Sequence, residues 1–515
     1  MAAEAAAKAR PAGMSWTRLV ARLRAQMLRR ISWGLADQGM SSITNAAVSI
    51  YVYRALGPAQ FGAFSLALVT YAFGLNASRG LATDPLMVRF SGTDVATWRR
   101  AVSRCTGTAT VVGLVIGACS LGAAALLHGT TGAAFCALAL AFPGLMLQDS
   151  WRFSFFALGK GSRAFVNDLI WAIVLFPSLA VLRTTGHADI FWFVLAWGGA
   201  AGVAAAIGPL QSLVIPHLSG AWSWVRDHRD LGPRYVAEGV SSAGANQLRT
   251  YGITFLLGLA AVGYVQASST LMGPFVVIYF AMSLVMIPEA SRVLQRSPRR
   301  LPKFCLAMGG GLGLAGLAWG TVLLVGLPLG LGTLILGHTH PWQPVYPLVL
   351  PQMLATVGQG LSSGAAAGLH ALGAARRSLR AMVWTSVSYV VFGLIGAVLN
   401  GAVGTLEGLV VSSVVGAALS WWQLRAGLRE YRAGAAEATA AAAENAPARQ
   451  AGRHRTAGAT SEAAGQPAAG AVAAIGTTAD AATAAASLPA RQTGWQRDEA
   501  EEIQLTMPIP RINYP

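Results

Sequence analysis

The chain has 515 residues, 54% hydrophobic and 11% charged, with a mean hydropathy of +0.50 and a formal net charge of +17. Soluble domains carry about 25% charged residues, so apolar runs recurring through the first 425 residues exclude a soluble enzyme and read as a polytopic membrane protein. Cys105, Cys119, Cys136 and Cys305 have no CxxC or metal-ligand spacing and read as small packing residues.

The first thirty residues are basic and hold no apolar core of a signal peptide. Trp16, Leu19, Val20, Leu23 and Met27 recur at helical spacing opposite Arg18, Arg22, Arg24 and Arg29, which predicts an amphipathic helix on an anionic membrane face over 1–30. Twelve candidate spans follow, at 31–55, 61–82, 106–127, 131–150, 163–183, 188–215, 233–258, 262–287, 304–328, 345–368, 379–400 and 403–424. Some are rich in Gly and Ala, as in AMGGGLGLAGLAWG, which permits close helix approach in lipid. The N-terminal segment, the connections after even-numbered spans and the segment after the last span hold 28 Lys and Arg, against two, Arg54 and Arg183, in the other connections. That asymmetry predicts twelve crossings with both termini cytoplasmic, and it assigns most of the net charge to topology and lipid headgroups, not nucleic acid. The Ala-, Gly- and Thr-rich stretch 433–515 buries too little apolar surface to fold and is expected to be a disordered cytoplasmic tail.

Three short echoes suggest a tandem duplication. FGAFSLA from Phe61 matches VGYVQAS from Val262, PLMVR from Pro85 matches PEASR from Pro288, and ALGKGSRA from Ala157 matches ALGAARRS from Ala371, at offsets of 201, 203 and 214. The fold expected is all-α: a six-helix lobe over 31–215, a cytoplasmic linker at 216–232 and a second six-helix lobe over 233–425. A repeat with an even number of spans places a pseudo-twofold axis along the membrane normal and leaves room for a cavity between lobes. The first span of each lobe is polar. Asp37 aligns with Glu238 and Asn45 with Asn246, and each set lies on one helical stripe, the second also holding Arg249. Charge facing lipid at the bilayer centre costs about 2.5–3.5 kcal/mol or more, so these stripes face protein or water. Asp37, Asn45, Arg79, Glu238, Asn246 and Arg249 are the candidate substrate-binding residues. Arg89 and Arg292, at matched positions where spans 2 and 8 end, are candidates for a cytoplasmic gate.

Leu56-Gly57, Phe61-Gly62 and Ser65, with the entry to the fifth span at Ala157–Ala172, resemble the polysaccharide-exporter, O-antigen flippase-like branch of the multidrug/oligosaccharidyl-lipid/polysaccharide (MOP) flippase superfamily. The resemblance covers about residues 31–425. It implies two six-helix lobes in a V around a central cavity, moving a lipid-linked oligosaccharide or polysaccharide to the outer leaflet of a bacterial cytoplasmic membrane by alternating access. It also implies that lipid-flippase members carry a cationic cavity that fits a pyrophosphate. The expected partners are that glycan, membrane lipids and glycan-assembly proteins, with no nucleic acid. The alternative is an ion-coupled exporter of small amphiphilic cations, with Asp37 and Glu238 as its acidic groups. No phosphate loop, HExxH or large extramembrane domain is present, so neither enzyme activity nor a cofactor is expected.

Overall fold

The computed structural model describes residues 16–338 and 342–444, and they form helices and short connections with no strand among them. Helix α1 (Trp16–Ser78) is broken inside at Gly57, whose φ of 78° only glycine adopts without strain, and Pro58 follows it. A π-turn at Arg79–Thr83 leads into α2 (Asp84–Phe90). Then come α3 (Val95–Leu127), α4 (Gly129–Ala157), α5 (Gly161–Thr184), α6 (Ile190–Ser212) and the short linker helix α7 (Ala221–Asp227). The second half comprises α8 (Gly232–Leu257), α9 (Leu259–Leu271), α10 (Gly273–Arg296), α11 (Leu301–Gly326), α12 (Gly332–Leu336), α13 (Tyr346–Ala371) and α14 (Ala375–Glu444), the last broken at Asn400-Gly401. Each of the twelve sequence-derived spans coincides with helix to within a few residues.

Among the described residues, seven continuous helical stretches are long and apolar enough to cross a membrane, or eight when α9 and the start of α10, bent by 56°, count as one span. The 26-residue helices α8 and α13 have spanning length but too many polar and small residues to qualify by hydropathy. The first lobe packs around large aromatics. Trp98, Trp151 and Trp197 are buried among Phe64 and Phe142. The indole N–H of Trp98 donates to the Ser154 carbonyl at 3.0 Å and that of Trp151 to the Ala205 carbonyl at 3.1 Å, which satisfies polar atoms that burial would otherwise leave stranded. In the second lobe, α11 and α13 approach backbone to backbone, with Gly309 against Gly360 and Gly364 against Cys305. Helix starts differ too. Asp94 and Asp189 cap α3 and α6 through their side chains, whereas α8, α10, α11 and α13 carry proline in the first turn.

The halves meet where α9 crosses the second arm of α1. A Cβ on Gly62 would lie 1.9 Å from the Leu259 carbonyl oxygen, and one on Gly263 would lie 2.0 Å from that of Pro58. The break at Gly57 (φ 78°, ψ 178°) recurs at Gly258 (φ 80°, ψ 177°). These pairs all differ by 201 positions, one of the offsets read from the sequence. A second seam runs between α8 and α1, from Gly80 against the Val236 backbone to the Thr70 and Tyr251 hydroxyls, 2.6 Å apart. Beyond its bend, α10 packs chiefly against α11 and α13.

Both ends of the chain depart from the expected layout. The backbone from Trp16 onward is continuous with the first span, so the basic segment extends that helix; residues 1–15 lie outside the described part. At the other end α14 runs to Glu444, past the expected start of the tail at 433, because alanine and glutamate favour helix. Residues 445–515 lie outside the described part.

Candidate functional site

Five ionisable side chains converge inside the first lobe. Asp37, on α1, has no solvent exposure. The Arg152 guanidinium on α4 donates to it through Nε at 2.6 Å and lies 2.5 Å away through Nη2. Arg152 also stands 3.6 Å from Asp168 of α5, and Asp168 accepts from Gln148 at 2.7 Å. One helical turn along, Arg79 grips Asp149 with two hydrogen bonds of 2.9 and 2.7 Å and lies 4.7 Å from the centre of the Phe153 ring. Asn167 ties the group to α6 through the Ala204 carbonyl and the Gln211 side chain. Three carboxylates thus face two guanidiniums, and Asp37 Oδ1 is buried without a hydrogen-bond partner.

The second lobe holds a different arrangement. Arg249 of α8 is 7% exposed, and its Nε and Nη1 have no hydrogen-bond partner among the described residues. Its guanidinium lies 4.3 Å from the centre of the Tyr389 ring, a cation–π contact that offsets part of the desolvation. The Tyr389 hydroxyl donates to Asn246 Oδ1 at 3.1 Å. Tyr389 also lines a cleft of ≈ 430 Å³ with Phe275, Tyr279, Gln359, Ser362, Thr385 and Ser412. The cleft presents aromatic rings, hydroxyls and one amide on a mainly apolar lining; Ser362, Thr385 and Ser413 donate to carbonyls of their own helices, and Arg249 contacts Tyr389 without lining the cleft.

The structure therefore separates the sequence candidates. Asp37 and Arg79 are held within the first lobe by Arg152 and Asp149. Asn45 is exposed on α1 and does not join them. Asn246 and Arg249 come together through Tyr389. The Glu238 side chain lies outside the described part. Arg89 is 2.5 Å from Asp230 and donates to the Asp227 carbonyl, so it fastens α2 to the linker. Arg292 pairs with Glu289 one turn back on its own exposed helix face.

Arg152, Asp149 and Asp168 escaped the sequence reading. The fourth span was expected to end at 150, which put Arg152 in a loop and among the topology charges, whereas α4 continues to Ala157. Asp168 was visible as an acid inside the fifth span. Tyr389 had a weaker signal, the hydroxyl-bearing Thr385 one turn before it in an apolar helix.

No protein-family model and no curated protein matches the chain. Solved structures do. A multidrug resistance MATE family transporter of the MOP superfamily, in an inward-facing conformation, superposes with a TM-score of 0.61 at 15% identity, covering 76% of this chain and 95% of that one. The lipid II flippase MurJ, in an inward closed conformation, gives 0.59 at 11% identity, with 77% and 87% covered. MATE in its straight conformation gives 0.51 at 14% identity, with 79% and 96% covered. The chain has the fold of these MOP-superfamily transporters.

Proposed function

We propose that the protein is a twelve-span transporter of a bacterial cytoplasmic membrane, with both termini in the cytoplasm, that flips or exports a lipid-linked oligosaccharide or polysaccharide by alternating access. Its two lobes are read as copies of one six-helix unit, because the helix break and the glycine crossing recur at one offset. The observation that carries the substrate is Arg249. A buried guanidinium without an acid beside it among the described residues is costly unless an anion visits it. The cleft beyond Tyr389 offers the aromatic and hydroxyl groups that sugars need. The likeness to a lipid II flippase supports a lipid-linked substrate. In this reading Asn246, Arg249 and Tyr389 bind substrate, with Glu238 and Asn45 on the adjoining stripes. Arg79 and Asp37 position the first lobe, and Arg89 and Arg292 exchange their present partners at the cytoplasmic mouth.

A second reading, the export of amphiphilic cations, is favoured by the excess carboxylate of the first lobe and by the likeness to a multidrug transporter. Export measured at matched protein abundance separates the two. Under the glycan reading Arg249→Ala abolishes surface glycan, Arg249→Lys keeps part of it, and Glu238→Gln matters less. Under the cation reading the ranking reverses, and a tolerant Arg249 overturns the proposal.

A further inference from the structure

The two arms of α14, which also give Thr385, Tyr389 and Ser412 to the cleft, enclose a separate groove of ≈ 540 Å³. Its lining is graded. At one end stand Arg380, Trp422 and Gln423; Trp384 and Val415 lie further in, and Phe392 marks the other end. From Arg380 to Phe392 the helix rises about 18 Å, close to the ~15 Å depth of one leaflet's hydrocarbon. The polar end is cationic. Arg380 lines it, and Arg376, Arg377, Arg425 and Arg429 lie near it in the sequence of the two arms but outside the lining. Arg377 is engaged by Glu430 and by the Gln423 side-chain oxygen, which leaves the Gln423 amide nitrogen for the groove. Arg380 is exposed and makes no ion pair among the described residues. Trp384 and Trp422 are 61% and 63% exposed, so two amphipathic rings border the Arg380 end of the groove, as rings do at a headgroup boundary.

We propose that this groove is a binding site for an anionic phospholipid of the bilayer. The lipid phosphate sits on Arg380 and the Gln423 amide, the tryptophans border the glycerol region, and an acyl chain runs between the arms of α14 toward Phe392. The site is independent of what the protein transports. A zwitterionic lipid fills the groove less well, because its own ammonium competes with Arg380 for the phosphate.

The full-length protein is placed in nanodiscs of equal phosphatidylglycerol and phosphatidylcholine, then extracted in detergent, and the lipids that stay bound are quantified. Wild type retains phosphatidylglycerol in preference. Arg380→Glu loses about fivefold of that retention, the worth of one basic side chain at a headgroup, whereas Arg376→Glu, exposed and outside the groove, keeps it. Equal retention of both lipids by wild type, or equal loss in the two variants, overturns the proposal. A diazirine-bearing phosphatidylglycerol, photolysed with the wild-type protein, decides the matter without a variant. Adducts on the peptides that hold Trp384 and Trp422 support the site, and adducts spread evenly over the lipid-facing helices overturn it.

Discussion

In the first lobe, Arg79 and Arg152 meet Asp37, Asp149 and Asp168 across three helices; in the second, Arg249 meets the ring of Tyr389 and nothing that takes up its Nε and Nη1. Both are charges taken out of water, yet among the described residues only the first set meets a charge of opposite sign. Answered charge fixes helices relative to one another. Unanswered charge is a cost that a bound anion removes. The packing follows the same division: tryptophans fill the first lobe, while glycines bring α11 and α13 together in the second. Under the proposed function the first lobe is a frame and the second the face that meets a ligand.

The largest effect expected from this contrast is on Arg152. Removing it strands Asp37 and Asp168 in the interior. Breaking a buried pair by deleting one partner costs about 3–5 kcal/mol. Arg152→Ala is therefore expected to lower the thermal midpoint in detergent sharply, and Arg152→Ala with Asp37→Asn to recover part of it. A single variant as stable as wild type would remove the frame from the comparison.

Helices and their order were legible because apolar runs and glycine or proline breaks are local properties. All twelve stretches fall in helix for that reason. The site was legible only in part. Asp37 and Arg249 announced themselves as charges inside apolar runs, but their partners depend on which helix faces which. Arg152 sat two residues beyond the expected end of its span, where a buried guanidinium and a topology charge look the same. The pairing of Arg249 with a tyrosine on α14 comes from tertiary packing and has no local signature.

The crossing of α1 and α9 tests where the two lobes are alike. Gly62→Ala and Gly263→Ala each drive a methyl into a backbone carbonyl, which no rotamer change relieves. Overpacking of this kind costs about 1–3 kcal/mol, more than the gain in helix propensity of about 1 kcal/mol. The contact is reciprocal, so the two variants are expected to lower the thermal midpoint by equal amounts. Unequal shifts would show that the equivalence of the halves stops at the backbone.

Arg249→Met is the converse of the Arg152 test. It replaces an unpaired buried cation with a flexible apolar chain that can lie on the Tyr389 ring. The thermal midpoint is expected to stay within about 1 kcal/mol of wild type or to rise, while transport fails. Stability lost in step with transport would mean that Arg249 holds the second lobe together, and the contrast between frame and ligand face would collapse.

The smallest effect concerns the linker, which is fastened to the first lobe by Arg89 and Arg104. The His228 ring stacks on Trp224 with centroids 4.1 Å apart and faces the edge of Phe90. Arg89 and Arg104 approach from α2 and α3, with Asp227 and Asp230 on the linker itself. Burial pushes the imidazole below its ordinary value of 6.5, and the two arginines push it further, against the opposing pull of the Trp224 carbonyl and Asp227. The docked ring thus holds a proton less readily than a free imidazole. Asp227 is held below the usual carboxylate range by its hydrogen bond from Arg104 and stays ionised throughout. Well above 6.5 the ring is neutral docked or undocked, and docking has its full strength. As the pH falls below 6.5 the undocked linker takes up a proton that the docked one refuses, so docking weakens until the docked ring titrates. Protease cleavage within 213–231 is expected to quicken a few-fold between about pH 7.5 and about pH 5.5. In His228→Phe, which keeps the stacking and cannot titrate, the rate should be flat over that range. A wild-type rate equally flat would mean that the ion pairs of Arg89 and Arg104 alone hold the linker to the frame.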